Sequence, residues 1–147
     1  MRIHLIVIAI LIIITAQAQA EDDPLKQLYA ARSLKCHFSS GFITHWSANN
    51  PETSIANKDQ EIQFDSIDIK NQSARVNGNP SVGDIKVIVN DVGISFIETE
   101  QVVMDITTVF PAYGEDRDFI AVDTRHVSLL GRSLAEQYYG TCKIWQQ

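Results

Sequence analysis

The strongest constraint on this chain is a pair of cysteines set in two alternating runs, one near each end. Cys142 lies within Gln137 to Trp145, where Tyr138, Gly140, Cys142 and Ile144 fall on one side and Tyr139, Thr141, Lys143 and Trp145 on the other. A period of two is the mark of a strand with two different faces. Cys36 lies in a second such run, in which Leu34, Cys36 and Phe38 alternate with Ser33, Lys35 and His37. No third cysteine competes for either thiol. A Cys36–Cys142 disulfide would tie the last strand to the first and make everything between them one closed domain. In the chain-entropy model, closing a loop of roughly 100 residues is worth up to about 4.7 kcal/mol. That is comparable with the whole stability of a small domain.

The N-terminus supplies the compartment in which such a bond forms. Met1-Arg2-Ile3-His4 leads into an apolar run from Leu5 to Ile14, and Ala18-x-Ala20 precedes the acidic Glu21. This order predicts a secretory signal peptide over residues 1–20, leaving 21–147 as a single β-rich domain. The apolar run is about half the ~20 residues that a helical span requires, so no membrane span is expected in the mature chain. The expected location is secreted or periplasmic, where disulfides persist. The formal charge is −6, with acids scattered along the chain. Nucleic acid is therefore excluded as a partner, because binding phosphates takes a basic patch. Adsorption to an anionic membrane surface is disfavoured for the same reason.

Asp23-Pro24 predicts a short helix with Asp23 as its cap, carrying Leu25, Leu28 and Tyr29 on one stripe down to about Arg32. Two turns do not stand alone, so the helix should plug or lid something larger. Ser39-Ser40-Gly41 reads as a turn before a second strand over Phe42 to Trp46, and the polar stretch from Ser47 to Asp59 as an exposed loop. Glu61 to Lys70 reads as a strand with a change of parity: Ile62 and Phe64 alternate in one phase, Ile67 and Ile69 in the other. A β-bulge at Asp65-Ser66 would put all four on one face. Ser73 to Asn77 is a further strand, ended by the turn Asn77-Gly78-Asn79-Pro80. Asp84 to Val89 and Ile94 to Thr99 predict a hairpin. Gln101 to Phe110 alternates throughout, Phe119 to Asp123 opens another strand, and a helical turn is expected around Ser133 to Gln137. About eight to nine short strands and little helix predict an all-β, mainly antiparallel fold. A single curled sheet or small β-barrel is the expected form, with a β-sandwich as the alternative.

Three segments carry a resemblance: Leu28-Tyr29-Ala30-Ala31-Arg32-Ser33-Leu34-Lys35-Cys36, Phe119 to His126, and Gln137-Tyr138-Tyr139-Gly140-Thr141-Cys142. Through them the chain resembles a family of small exported bacterial β-rich proteins with no known activity. The resemblance implies an extracytoplasmic location. It supplies no catalytic residue, cofactor or ligand. Gly41 and Trp46 do not form the Gly-x-Trp start of the lipocalins.

Several residue sets invite a chemical reading. Asp123, His126 and Ser128 are the components of a hydrolase triad, but on an extended segment Asp123 and His126 point to opposite faces. Asp123 and Arg125 share a face and are expected to pair. His37 and His45, placed on successive strands, would meet across a hairpin, yet two histidines without a supporting carboxylate do not make a metal site. Glu98, Glu100 and Asp105 read as the solvated rim of a turn. Aromatic residues are spread over almost every strand. Trp46, Phe64, Phe96, Phe110 and Tyr138 are the expected ligand-lining set, should the sheet enclose a cavity, and otherwise core. The expected function is a non-enzymatic exported binding module for a small apolar ligand or an envelope partner protein, with no cofactor, metal or catalytic residue. The alternatives are a surface-acting protein with an apolar patch near Trp46 or Trp145, and a hydrolase using His126.

Overall fold

The computed structural model describes residues 23–48, 50–77, 85–112, 118–129 and 132–145. The expected signal peptide over 1–20 lies outside them, as do the turn residues 78–80 and the acidic segment 113–117. The described residues form one short helix, α1 (Pro24–Ala30), and eight strands. These are β1 (Leu34–Ser47), β2 (Asn50–Asp68), β3 (Ser73–Val76), β4 (Ile85–Asn90), β5 (Gly93–Glu100), β6 (Val103–Phe110), β7 (Phe119–Leu129) and β8 (Arg132–Ile144). Each strand pairs antiparallel with the next, and β8 pairs back onto β1, so a single sheet closes into a ring. The fold is the curled all-β sheet, not the sandwich.

The ring is uneven. β3 has four residues, and among the described residues it meets β4 through two residue pairs, Ser73 with Lys86 and Ala74 with Ile85. The closing seam is far more extensive, since β1 and β8 run paired from Leu34–Ile144 to His45–Leu134. Cys36 and Cys142 stand directly opposite each other in that seam and are joined by a disulfide, with their Cα atoms 4.0 Å apart.

Helix α1 closes one end. The Asp23 carboxylate accepts the Leu25 N–H at 3.1 Å, and Pro24 occupies the first turn, where its missing N–H costs nothing. Leu28 is buried in the core, the Tyr29 hydroxyl donates to the Asn90 carbonyl, and Arg32 donates to the Ile67 carbonyl at 3.0 Å. The helix is thus held by the ring rather than by its own two turns.

Three local expectations are corrected. Ser39 to Gly41 is a bulge inside β1, where the register with both neighbours shifts between Phe38 and Ser40. Residues 50–59, expected as part of a loop, are the first half of β2. They pair with β1 from Ser40 onward, although Ile55 is 79% exposed and no apolar face marks the strand. The helical turn expected at Ser133 to Gln137 is strand instead, paired with β7 on one side and partly with β1 on the other. The bulge at Asp65-Ser66 does occur. Ser66 adopts φ 54°, the register with β3 shifts between Asp65 and Asp68, and Phe64 and Ile67 are both buried, with Ile62 and Ile69 packed against them.

Strand register sorts the interior into layers. Nearest α1 lie Cys36, Cys142 and Phe119, and above them Phe38, Gly140, Ala121, Val109 and Ile94. The next layer holds Tyr138, Asp123, Thr107 and Phe96, followed by Glu136, Arg125, Asp105 and Glu98. Leu134, Val127, Val103 and Glu100 form the rim at the far end. The half nearest the helix is apolar and closely filled. The other half carries charge.

Candidate functional site

The charged half surrounds a cavity of about 280 Å³. Its floor is the Phe64–Phe96 pair, stacked at 4.0 Å between ring centroids with 12° between planes. Asp105 and Arg125, directly opposite each other on β6 and β7, are in ionic contact at 3.4 Å. One layer deeper, the Thr107 hydroxyl donates to Asp123 at 2.7 Å. Lys58 reaches in from β2 and holds its ammonium 4.3 Å from the centre of the Tyr138 ring. Burial raises the Asp105 carboxyl above its ordinary value, against the opposing pull of Arg125. Burial likewise raises Asp123, which is 4% exposed, against its hydrogen bond from Thr107. Two polar atoms, Gln60 Oε1 and Arg125 Nε, are buried without a hydrogen-bond partner among the described residues. The Arg125 Nε is the atom in ionic contact with Asp105, whereas Gln60 Oε1 is an acceptor that receives no donor.

A second hollow, a groove of about 640 Å³, lies at the rim where β5, β6, β7 and β8 turn. Trp46, Val102, Met104, His126, Val127 and Leu134 contribute to its wall, with Glu100 and Gln101 at the β5–β6 turn. By strand parity Met104 and His126 stand on the outer face of the ring, while Val127 and Leu134 stand on the inner one. The groove therefore follows the edge where the two faces meet. Trp46 is 49% exposed, Val102 43% and Met104 41%, which concentrates apolar surface in one place.

The five expected ligand-lining residues are divided among three locations. Phe64, Phe96 and Tyr138 are buried inside the ring, Trp46 lies at the rim groove, and Phe110 is on the outer side of β6 opposite Ile120. His126 and Ser128 lie on the outer face and Asp123 on the inner one, so the triad residues do not converge. The expected Asp123–Arg125 pair is replaced by Arg125 with Asp105 and by Asp123 with Thr107. His37 and His45 lie on one strand, not on successive ones, and each faces a β2 carboxylate: Asp59 at 3.6 Å and Glu52 at 3.4 Å. Among the described residues no three His, Cys, Asp or Glu side chains are grouped to hold a metal. Glu98 and Asp105, expected on a solvated turn, are opposed on the inner face and line the charged cavity.

Lys58, Gln60, Thr107 and Glu136 were absent from every candidate set read from the sequence. Thr107 and Glu136 share strand parity with the buried Val109 and Tyr138, which is the one signal that points to them. Lys58 and Gln60 lie in or beside a stretch that reads as loop, and nothing in the sequence marks their inward turn.

No protein-family model matches this chain, and neither a curated protein nor a solved structure matches it. Among the described residues, no helix is long and apolar enough to cross a membrane.

Proposed function

We propose that this protein is a non-enzymatic, exported binding module that holds a small apolar ligand in the rim groove beside Trp46. The carrying observation is the groove itself. Its volume of about 640 Å³ lies in the range of small-molecule sites, and Trp46, Val102 and Met104 leave apolar area uncovered there. The interior offers an apolar ligand less, because Phe64 and Phe96 are already buried against each other. Export is supported by the leader-like sequence over residues 1–20 and by the Cys36–Cys142 disulfide, which persists in oxidising compartments. The separation of His126 from Asp123 on opposite faces favours binding over hydrolysis.

Trp46 is a built-in reporter once the other tryptophan, Trp145, is replaced by Phe. In that background, titration with the apolar probe N-phenyl-1-naphthylamine should quench or shift Trp46 emission with a saturable curve. Leu134→Asp and Met104→Asp should each weaken the probe about tenfold or more, since a charge would then share a desolvated groove. Non-saturable uptake, or unchanged affinity in both variants, would reject the reading.

A further inference from the structure

We infer that the outer edge of β2 is an interface for a second copy of this chain, and that two copies join antiparallel, β2 to β2, about a two-fold axis at Ile55.

The edge itself is the first observation. From Asn50 to Ile62, β2 lies against β1 on one side, and among the described residues no strand pairs with its other side. Pairing with β3 begins at Phe64, and the Asn77 N–H donates to the Gln63 carbonyl at 2.9 Å. Ile55 lies roughly 26 Å further along the strand. The segment 78–84 must return to Ile85, opposite Ala74, and is too short to travel that far and back. An edge of this kind presents a row of N–H and C=O groups that a further strand can satisfy.

The residues on the edge are the second. Monomeric proteins blunt a free edge with charge, proline or a bulge. From Thr53 to Asn57 the strand carries no charge and no proline, and Ile55 at its centre is 79% exposed. Ile55 opposes Phe42 on β1, and Phe42 meets Tyr139 of β8 edge to face at 6.3 Å. All three are exposed on the outer side of the sheet. With Ile55 on the axis, the two isoleucines meet and the outer rows of both copies join into one.

Charge selects the partner and the register together. In this register Glu52 stands opposite Lys58 of the other copy, and two-fold symmetry makes the contact twice. No like charges are opposed. A shift of two residues is the smallest step that keeps each face on its own side, and it sets Glu52 against Ala56 or Gln60 instead. Glu52 meets His45 at 3.4 Å and Lys58 lies over the Tyr138 ring, but a carboxylate has two oxygens and an ammonium three protons. Pro51, which cannot donate to a ladder, falls just outside the paired stretch from Glu52 to Lys58. The edge thus complements a second copy of itself.

Sedimentation velocity on the oxidised protein, run over a concentration series without ligand, should show a monomer–dimer equilibrium. Glu52→Lys and Lys58→Glu should each weaken the dimer about tenfold or more, because like charges then oppose each other at both ends. Combining the two reversals should restore it. Cross-linking tests the register. Both native cysteines are held in the disulfide, so Ile55→Cys should form a covalent dimer on air oxidation. Asn57→Cys, set opposite Thr53, should not. Circular dichroism checks that each variant keeps the fold. A single monomeric species across the series would overturn the inference. So would a dimer that both charge reversals leave intact, one that their combination does not restore, or cross-linking through position 57 in place of 55. No ligand enters this experiment, so failure of the naphthylamine probe leaves the interface standing, and a monomer leaves the groove reading standing.

Discussion

Asp105 and Asp123 show what a single buried carboxylate does to a fold of this size. Burial raises both above their ordinary value, so the native state binds their protons more tightly than the unfolded chain does. Stability from these two groups therefore rises as the pH falls through their raised native values, and levels off near the unfolded value of about 3.9. Asp68 acts in the opposite direction. The backbone N–H and side-chain amide of Asn71 bind its carboxylate and lower its native value, so its contribution is lost as the pH falls below the unfolded one. Thermal melts from pH 7 down to pH 3 should show stability rising first and then falling. The rise should vanish in an Asp105→Asn, Asp123→Asn double variant, and a monotonic loss in the unsubstituted protein would contradict this account. Phe96 tests the other half of the interior: it is buried and stacked on Phe64, and its change to Ala should cost about 3–5 kcal/mol in chemical denaturation. Part of this arrangement was legible in the sequence, because Asp123 shares parity with Phe119 and Ala121. On β6 parity misleads. Met104, Ile106 and Phe110 form its more apolar side, yet Val109 and Thr107 are the buried residues. Alternation separates two faces without saying which is inside, and here a polar layer inside the ring reverses the usual guess.

The seam between β1 and β8 is the element on which closure depends. Gly140 sits in it between Phe38 and Ala121, and a Cβ placed there would lie 1.9 Å from the His37 carbonyl oxygen. The obstacle is backbone, so the strands must part to make room. Gly140→Ala should destabilise by at least the ~1–3 kcal/mol typical of overpacking, and a melting temperature unchanged from the parent would refute the close approach. The disulfide acts on the same seam by a different route. A Cys36→Ser, Cys142→Ser variant should lose up to about 4.7 kcal/mol relative to the oxidised protein, measured by denaturant unfolding without reductant. The seam strands were readable because each carries a buried row on one side. The first half of β2 was not: Asn50 to Ala56 bury little, and they are ordered by backbone pairing with β1. Such pairing leaves no trace in composition, and the polar residues that suggested a loop are those an exposed strand tolerates. The same competition decided Ser133 to Gln137, where neighbours on both sides outweigh a local preference for helix.

At the scale of the molecule, a closed ring has no free edge only if every junction holds, and the junctions here are unequal. β1 and β8 are joined by a long ladder and a disulfide, while among the described residues β3 and β4 share two residue pairs. Among the described residues β3 pairs with β2 from Phe64 to Asp68, with the Asn77 N–H donating to the Gln63 carbonyl at 2.9 Å just beyond, and the charged cavity lies beside this junction with Val76 and Ile85 on its wall. A ring of this kind opens where the fewest hydrogen bonds must break. Amide hydrogen exchange under native conditions should therefore find β3 and the start of β4 opening well below the global unfolding free energy. The amides of β1 and β8 around Cys36 and Cys142 should exchange only with global unfolding. The order should persist after reduction, because the β1–β8 ladder still exceeds the β3–β4 one without its covalent link. Seam amides exchanging before those of β3 would mean that the disulfide, not the ladder, holds the ring shut.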